Sequence, residues 1–254
     1  MKHTLIKNGQ LTFTDGRFYE HQPSGEWVPS VTTILEAWPK PYALLQWMKE
    51  QGHKADEIME AAGKRGTSVH NLTERFDRGE VVNLFDSDGR PVCSLEEWGM
   101  FERYVDFSSR YGPKHFLIEE TFINPKLGWA GTVDRVMELS DGKRLIVDIK
   151  TSNGIYDSYW LQLAAYNALL YHDERFMSMD IDGAAILWLN AKTRTDREGQ
   201  GKGWQLLTID RVELAKKLRL FDACREIWLE TCGDRKPRQW TYELKHQREV
   251  VADV

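Results

Sequence analysis

Gly131 to Thr151 reads GTVDRVMELSDGKRLIVDIKT. Two runs of alternating apolar and polar residues flank Ser140-Asp141-Gly142, which is the pattern of a β-hairpin. A three-residue hairpin loop commonly ends in the left-handed conformation, and glycine suits that position. Such a loop sets Leu139 opposite Lys143, and the same register brings Asp134 opposite Asp148 and Thr132 opposite Lys150. One face then carries Val133, Met137, Leu139, Leu145, Val147 and Ile149, a core face with Arg135 as its misfit. The other face carries Asp134, Asp148 and Lys150. A two-residue Asp-Gly loop would instead put the two aspartates on opposite faces.

Carboxylates that face each other across a strand pair repel, so a sheet does not favour them without a cation between. Hard oxygen ligands point to Mg²⁺ or Mn²⁺. Lys150, one pleat beyond Asp148, adds positive charge where an attacking water or a phosphate oxygen would sit. The bland alternative is a solvated polar face on which a lysine happens to lie beside two acids.

Outward from the hairpin, residues 115–123 read as a preceding strand and 156–172 as a helix, with Leu161, Ala164, Ala165, Ala168 and Leu169 at helical spacing. Residues 183–191 read as a buried strand, 203–209 as another, and 211–230 as a last helix. On the N-terminal side, 3–28 reads as short strands with turns at Asn8-Gly9, Asp15-Gly16 and Ser24-Gly25. Helices are expected at 31–38 behind a Ser30 cap, at 41–51, at 55–78 closed by Gly79, and at 95–111 between a Ser94 cap and Gly112-Pro113. The expectation is an α/β fold: a mixed central sheet flanked by helices, preceded by an N-terminal helical region. A single domain spans 1–254, with strands and helices in 1–114 and the sheet core in 115–254.

Hydrophobic residues make up 41% of the 254 residues, enough for a substantial core, yet no apolar run reaches the length of about 18 that spans a membrane. The opening MKHTLIKNGQ lacks a signal-peptide apolar stretch. Cys93, Cys224 and Cys232 are few and odd in number, and no C-x-x-C pair occurs. This favours a reducing, cytoplasmic setting over a disulfide framework, zinc ribbon or iron–sulfur cluster. The net charge of −5 weighs mildly against a nucleic-acid partner. Basic stretches at 192–197, 211–225 and 235–238 are candidates to touch phosphate, although each also reads as a solvated face.

Two helices add candidates. His70 lies in the 55–78 helix with Glu74 one turn on, and Gln162 and Tyr166 stand one turn apart in the 156–172 helix. In chain order the motifs are GTSVH (66–70), Glu119, GTVD (131–134), DIK (148–150) and QLAAY (162–166). This order resembles the PD-(D/E)XK nuclease superfamily, in particular its RecB-like exonuclease branch. The segment WVPSVTTIL (27–35) is also similar to mitochondrial genome-maintenance exonucleases and their bacteriophage relatives.

The resemblance implies a restriction-endonuclease-like core and a role for each matching residue. Asp134 and Asp148 would bind metal through carboxylates, His70 from its helix, and Ile149 through its main-chain carbonyl. Lys150 would orient or activate the attacking water. Glu119 matches an acidic position of the branch, with Glu120 competing for it. Gln162 and Tyr166 would hold the edge of the active site and the substrate strand. The cysteine pattern of iron–sulfur relatives is missing. The implied activity is a Mg²⁺- or Mn²⁺-dependent DNA exonuclease that prefers single strands with free ends, of a phage-like or recombination and repair kind. Trp38, Trp47 and Trp129 are candidates to stack on unpaired bases. The alternatives are an inactive relative that binds nucleic acid or protein, and a hydrolase of small phosphate esters.

Overall fold

A computed structural model describes residues 3–7, 10–14, 17–232 and 239–243. In chain order the strands are β1 (His3–Lys7), β2 (Gln10–Thr14), β3 (Phe18–His21), β4 (Glu26–Pro29), β5 (Lys114–Asn124), β6 (Trp129–Glu138), β7 (Arg144–Lys150), β8 (Gly183–Trp188), β9 (Gln200–Gly201), β10 (Trp204–Asp210) and β11 (Gln239–Glu243). The helices are α1 (Val31–Ile34), α2 (Tyr42–Gln51), α3 (Lys54–Asp77), α4 (Leu95–Tyr111), α5 (Asp157–Tyr171) and α6 (Arg211–Cys232). The fold is α/β, as expected.

Among the described residues the central sheet has the order β5-β6-β7-β8-β10-β9. Only β7 and β8 run parallel, joined by the α5 crossover; the remaining pairs are antiparallel. One face packs against α1, α5 and α6 through Val136, Ile146, Leu161, Ala165 and Phe221. The other packs against α3 and α4 through Val69, Tyr104, Phe107, Met137, Leu145 and Val147. Burial on both faces explains the apolar runs Leu145–Val147 in β7 and Ala184–Trp188 in β8.

The hairpin register holds as far as Arg135 and Val147: Met137 pairs with Leu145 and Arg135 with Val147, and Gly142 closes the turn at φ +82°. The expected pairs Asp134–Asp148 and Thr132–Lys150 do not form, because the two strands part beyond that point. Its second face is not a polar one, however. Val136 and Ile146 lie on it fully buried beneath α5, so the sheet is covered on both sides and the acids sit only at its open end. Arg135 is not exposed either. It is 0% accessible and ion-paired with Asp77.

Local chemistry sets the helix ends. Ser30 Oγ accepts the Thr33 N–H at 3.0 Å. Ser94 and Glu97 form a reciprocal capping box, and Gly112 ends α4 in the left-handed region. Helix α1 is shorter than expected: after Ile34 the chain tightens into a 3₁₀ turn, Leu35–Ala37, ahead of Pro39. Strand β8 stops at Trp188, short of 191, where Asn190 turns its side chain to Thr151 O and Asn153. Strand β9 is too short for an alternation signal, and β11 was not expected at all; it joins β1 and β2 in a separate sheet. The turns at Asn8-Gly9 and Asp15-Gly16 and the basic stretch 235–238 lie outside the described residues. Among the described residues, no helix is long and apolar enough to cross a membrane.

Candidate active site

Strands β6 and β7 part where the acids begin. Their ladder ends at Arg135 and Val147. In the next step Asp134 Oδ2, not a β6 carbonyl, accepts the Ile149 N–H at 2.8 Å. The Ile149 carbonyl faces His70 Nε2 at 3.0 Å. Both polar groups of the Ile149 peptide are thus held by side chains, and the parted strands leave a cleft of about 580 Å³. Its walls include His70, Glu119, Asp134, Asp148, Ile149, Lys150, Gln162 and Tyr166, so the candidate metal ligands and catalytic residues of the five motifs converge here.

Helix α3 brings His70 to the cleft, and its facing positions Ala62, Gly63, Gly66 and Thr67 recur at helical spacing with it. His70 Nδ1 lies 3.0 Å from Glu119 Oε1 and 3.7 Å from Asp134 Oδ2. Acceptors therefore flank both ring nitrogens, which suits the imidazolium form, since neutral imidazole has one N–H. Burial acts to lower the His70 pKa, but Asp134 and Glu119 outweigh it and push it up to about 9. Burial raises Asp134, partly offset by His70.

Asp148 is 2% exposed. Its Oδ1 accepts from Lys150 Nζ at 3.0 Å and Gln162 Nε2 at 3.2 Å. Its Oδ2 is 2.7 Å from Lys150 Nζ yet makes no hydrogen bond of good geometry. Burial pushes its pKa up to about 6, against the pull of Lys150. Burial also acts to discharge Lys150, but Asp148 and Asp134 outweigh it and keep the ammonium charged. Tyr159, whose ring centre is 4.4 Å from Nζ, adds a cation–π contact. Gln162 Nε2 also reaches Tyr166 Oη at 3.1 Å. The glycine of GTVD has a packing reason: a Cβ on Gly131 would fall 2.3 Å from Tyr166 Cε1.

The donor set suits a hard divalent cation. One ligand atom from each of His70, Glu119 and Asp134 lies within 4.8 Å of the others, the Ile149 carbonyl stands beside His70, and Asp148 lines the same cleft. Glu119 belongs to the cluster more closely than Asp148, whose carboxylate is tied to Lys150. Glu120 turns away to pair with Arg175.

Other candidates lie elsewhere. Trp129 is buried against Phe221 and cannot stack on a base. Trp38 and Trp47 are partly buried and do not line the cleft. Lys192 and Arg194 line a separate hollow with Arg103 and Arg110, and Arg211 pairs with Asp180 and Asp182. Besides Lys150 and His70, Arg17 and Arg65 bring positive charge to the cleft, Arg65 also lying 3.4 Å from Glu96. Neither was singled out from the sequence. Arg65 sits one residue before Gly66 of GTSVH, whereas Arg17 carries no local signal. Tyr159 was legible in principle, being at i−3 to Gln162 on one face of α5. No protein-family model matches the chain, and no curated protein matches it.

Proposed function

We propose that this chain is a divalent-metal-dependent nuclease that hydrolyses phosphodiester bonds of DNA. The observation that carries the reading is the convergence of Asp134, Glu119, His70 and Asp148 on one cleft, with Lys150 held against Asp148. His70, Glu119, Asp134 and the Ile149 carbonyl would hold Mg²⁺ or Mn²⁺, with Asp148 beside them holding Lys150. When bound, such an ion lowers the pKa of water and polarises a phosphoryl oxygen.

The chain's own groups do the rest. Lys150 cannot ligate a cation, so its ammonium serves the attacking water and the charge growing on the phosphate. Asp148 and Gln162 fix that ammonium in place. The small residues Gly63 and Gly66 let a strand lie close to α3. Arg17 and Arg65 supply positive charge for phosphates flanking the scissile one, which favours a polynucleotide over a small phosphate ester. The resemblance of the motif order supports an exonuclease acting on single strands with free ends.

The test is digestion of labelled single-stranded DNA, linear and covalently closed, in Mg²⁺ and in EDTA. Linear DNA should be degraded only in Mg²⁺, and Asp148→Asn should be inactive. Equal turnover in EDTA would overturn the metal-dependent reading. No cleavage of any DNA in Mg²⁺ or Mn²⁺, with DNA binding retained, would favour a binding module. Circles cut as fast as linear strands would make the protein an endonuclease.

A further inference from the structure

Glu119 is the one non-glycine residue with positive φ among the described residues, at +46°. That region disfavours a residue with a Cβ and is tolerated only where the surroundings impose it. The β5–β6 ladder skips the same place: Ile118 pairs with Arg135 and Glu120 with Val133, but the Glu119–Asp134 pair between them is missing, while the register shift of β5 lies earlier, between His115 and Leu117. Leu117 and Phe122 are five apart in β5 yet enter the same core, whereas regular alternation would send them to opposite faces.

Glu119 Oε1 meets two partners, His70 Nδ1 and Arg135 Nη1, each at 3.0 Å. Arg135 is itself fixed: Nε donates to Asp77 Oδ2 at 2.6 Å, Nη1 to the Asp134 carbonyl at 2.7 Å, and Nη2 to Thr73 Oγ1 at 3.1 Å. Tyr104 Oη donates to the same Asp77 oxygen at 2.5 Å, and His115 Nε2 lies 3.4 Å from Oδ1. His70, Thr73 and Asp77 are successive sheet-facing positions of α3. One helix face thus delivers both the imidazole of the cluster and the anchor of the arginine that holds its carboxylate.

We infer that the buried Asp77–Arg135 pair is a positioning device that holds Glu119 in a strained, left-handed conformation so that its carboxylate completes the cation site with His70 and Asp134. This rests on the metal-site reading above. Arg135 touches neither cation nor substrate; the one site carboxylate it holds is that of Glu119, its bond to Asp134 being to the main-chain carbonyl. A planar guanidinium suits the task, since its fork spans Asp77 and Glu119 with fixed geometry.

The test uses Mn²⁺ binding to the full chain by titration calorimetry, beside thermal unfolding in EDTA. Glu119→Gly and Glu119→Ala both remove the carboxylate and differ in tolerance of positive φ. Each should weaken Mn²⁺ binding at least about tenfold, and the glycine variant should unfold at the higher temperature, by about 2–4 °C. At a regular strand position the order reverses. Arg135→Lys should also weaken Mn²⁺ binding about tenfold or more, but should add no further loss on top of Glu119→Gly, because it acts through that residue. Asp77→Asn gives the same non-additive comparison if Arg135→Lys does not fold. A more stable alanine variant overturns the strain, and additive losses overturn the route through Glu119. If the parent binds Mn²⁺ and Glu119→Gly binds it equally well, the inference falls alone; a parent that binds none takes the metal-site reading with it.

Discussion

Asp134 Oδ2 accepts the Ile149 N–H at 2.8 Å and so replaces the neighbouring strand at the point where β6 and β7 separate. A carboxylate in that place ends the ladder without leaving a buried donor unpaired. It also leaves the Ile149 carbonyl to His70 Nε2, 3.0 Å away. Asp134→Ala should therefore lose twice: the cation site and the satisfied N–H. Asp134→Asn, which keeps an oxygen for Ile149, should retain most of the thermal stability while losing Mn²⁺ binding. Equal unfolding temperatures for the alanine and asparagine variants would contradict the structural half of that role.

Lys150 separates chemistry from binding. Lys150→Ala should still bind Mn²⁺ and DNA but cleave about 10²–10³ more slowly in single-turnover assays, the usual cost of one preorganised group. Lys150→Arg should not restore the rate, because a planar fork places its donors differently from a compact ammonium. Near-parental cleavage by Lys150→Ala would reduce the lysine to a structural partner of Asp148.

Cation binding should be coupled to protons. His70, pushed up to about 9, carries a proton at neutral pH before a cation binds, and a ligating nitrogen must lose it. Mn²⁺ affinity should therefore rise as the pH increases from about 6 to 9, with proton release at pH 7. Calorimetry in two buffers of different ionisation heat measures that release directly. No proton release, or affinity that falls with rising pH, would count against His70 as a ligand.

Asp77 and Arg135 should dominate the acid sensitivity of the fold. Burial acts to raise Asp77, but His115 and Arg135 outweigh it and hold its pKa below the usual value. The stability from ionised Asp77 is thus fully present above its unfolded pKa of about 3.9 and is lost as pH falls through the folded value. Arg135→Met leaves the buried Asp77 carboxylate with only Tyr104 and His115 and should cost about 3–5 kcal/mol at pH 7. The cost should shrink towards pH 4–5, where the stranded carboxyl can take up a proton, and in the Asp77→Asn, Arg135→Met double variant. Urea unfolding at both pH values checks this; a cost independent of pH would not fit.

Gly131 should tolerate no side chain while Tyr166 keeps its ring. A Cβ there meets Tyr166 Cε1 at 2.3 Å, so Gly131→Ala should cost about 1–3 kcal/mol by overpacking. Tyr166→Leu should recover part of that loss in the double variant, as read by thermal unfolding. Additive losses would place the glycine's importance elsewhere.

Much of the fold is written locally. Loop length and Gly142 set the 131–151 hairpin register, Ser30, Ser94 and Gly112 mark helix ends, and apolar spacing gives α5, because each depends on residues only a few positions apart. His70, Asp134, Asp148 and Lys150 were legible as candidates for the same reason: each sits in a short motif with its own spacing. Other features needed the folded chain. The alternation of the hairpin suggests one polar face, whereas α5 covers Val136 and Ile146 and leaves the acids only where the strands part. Arg135 looks like a misfit until α3 supplies Asp77, 58 residues away in sequence. The choice between Glu119 and Glu120 depends on a left-handed residue that strand periodicity cannot register. Arg17 reaches the cleft from a separate hairpin. The sequence alone therefore determined most of the elements, β9 and β11 excepted, and the chemical types of the candidate residues. Only tertiary packing decided which side chains meet, because those contacts join segments whose separation in the chain carries no periodic signal.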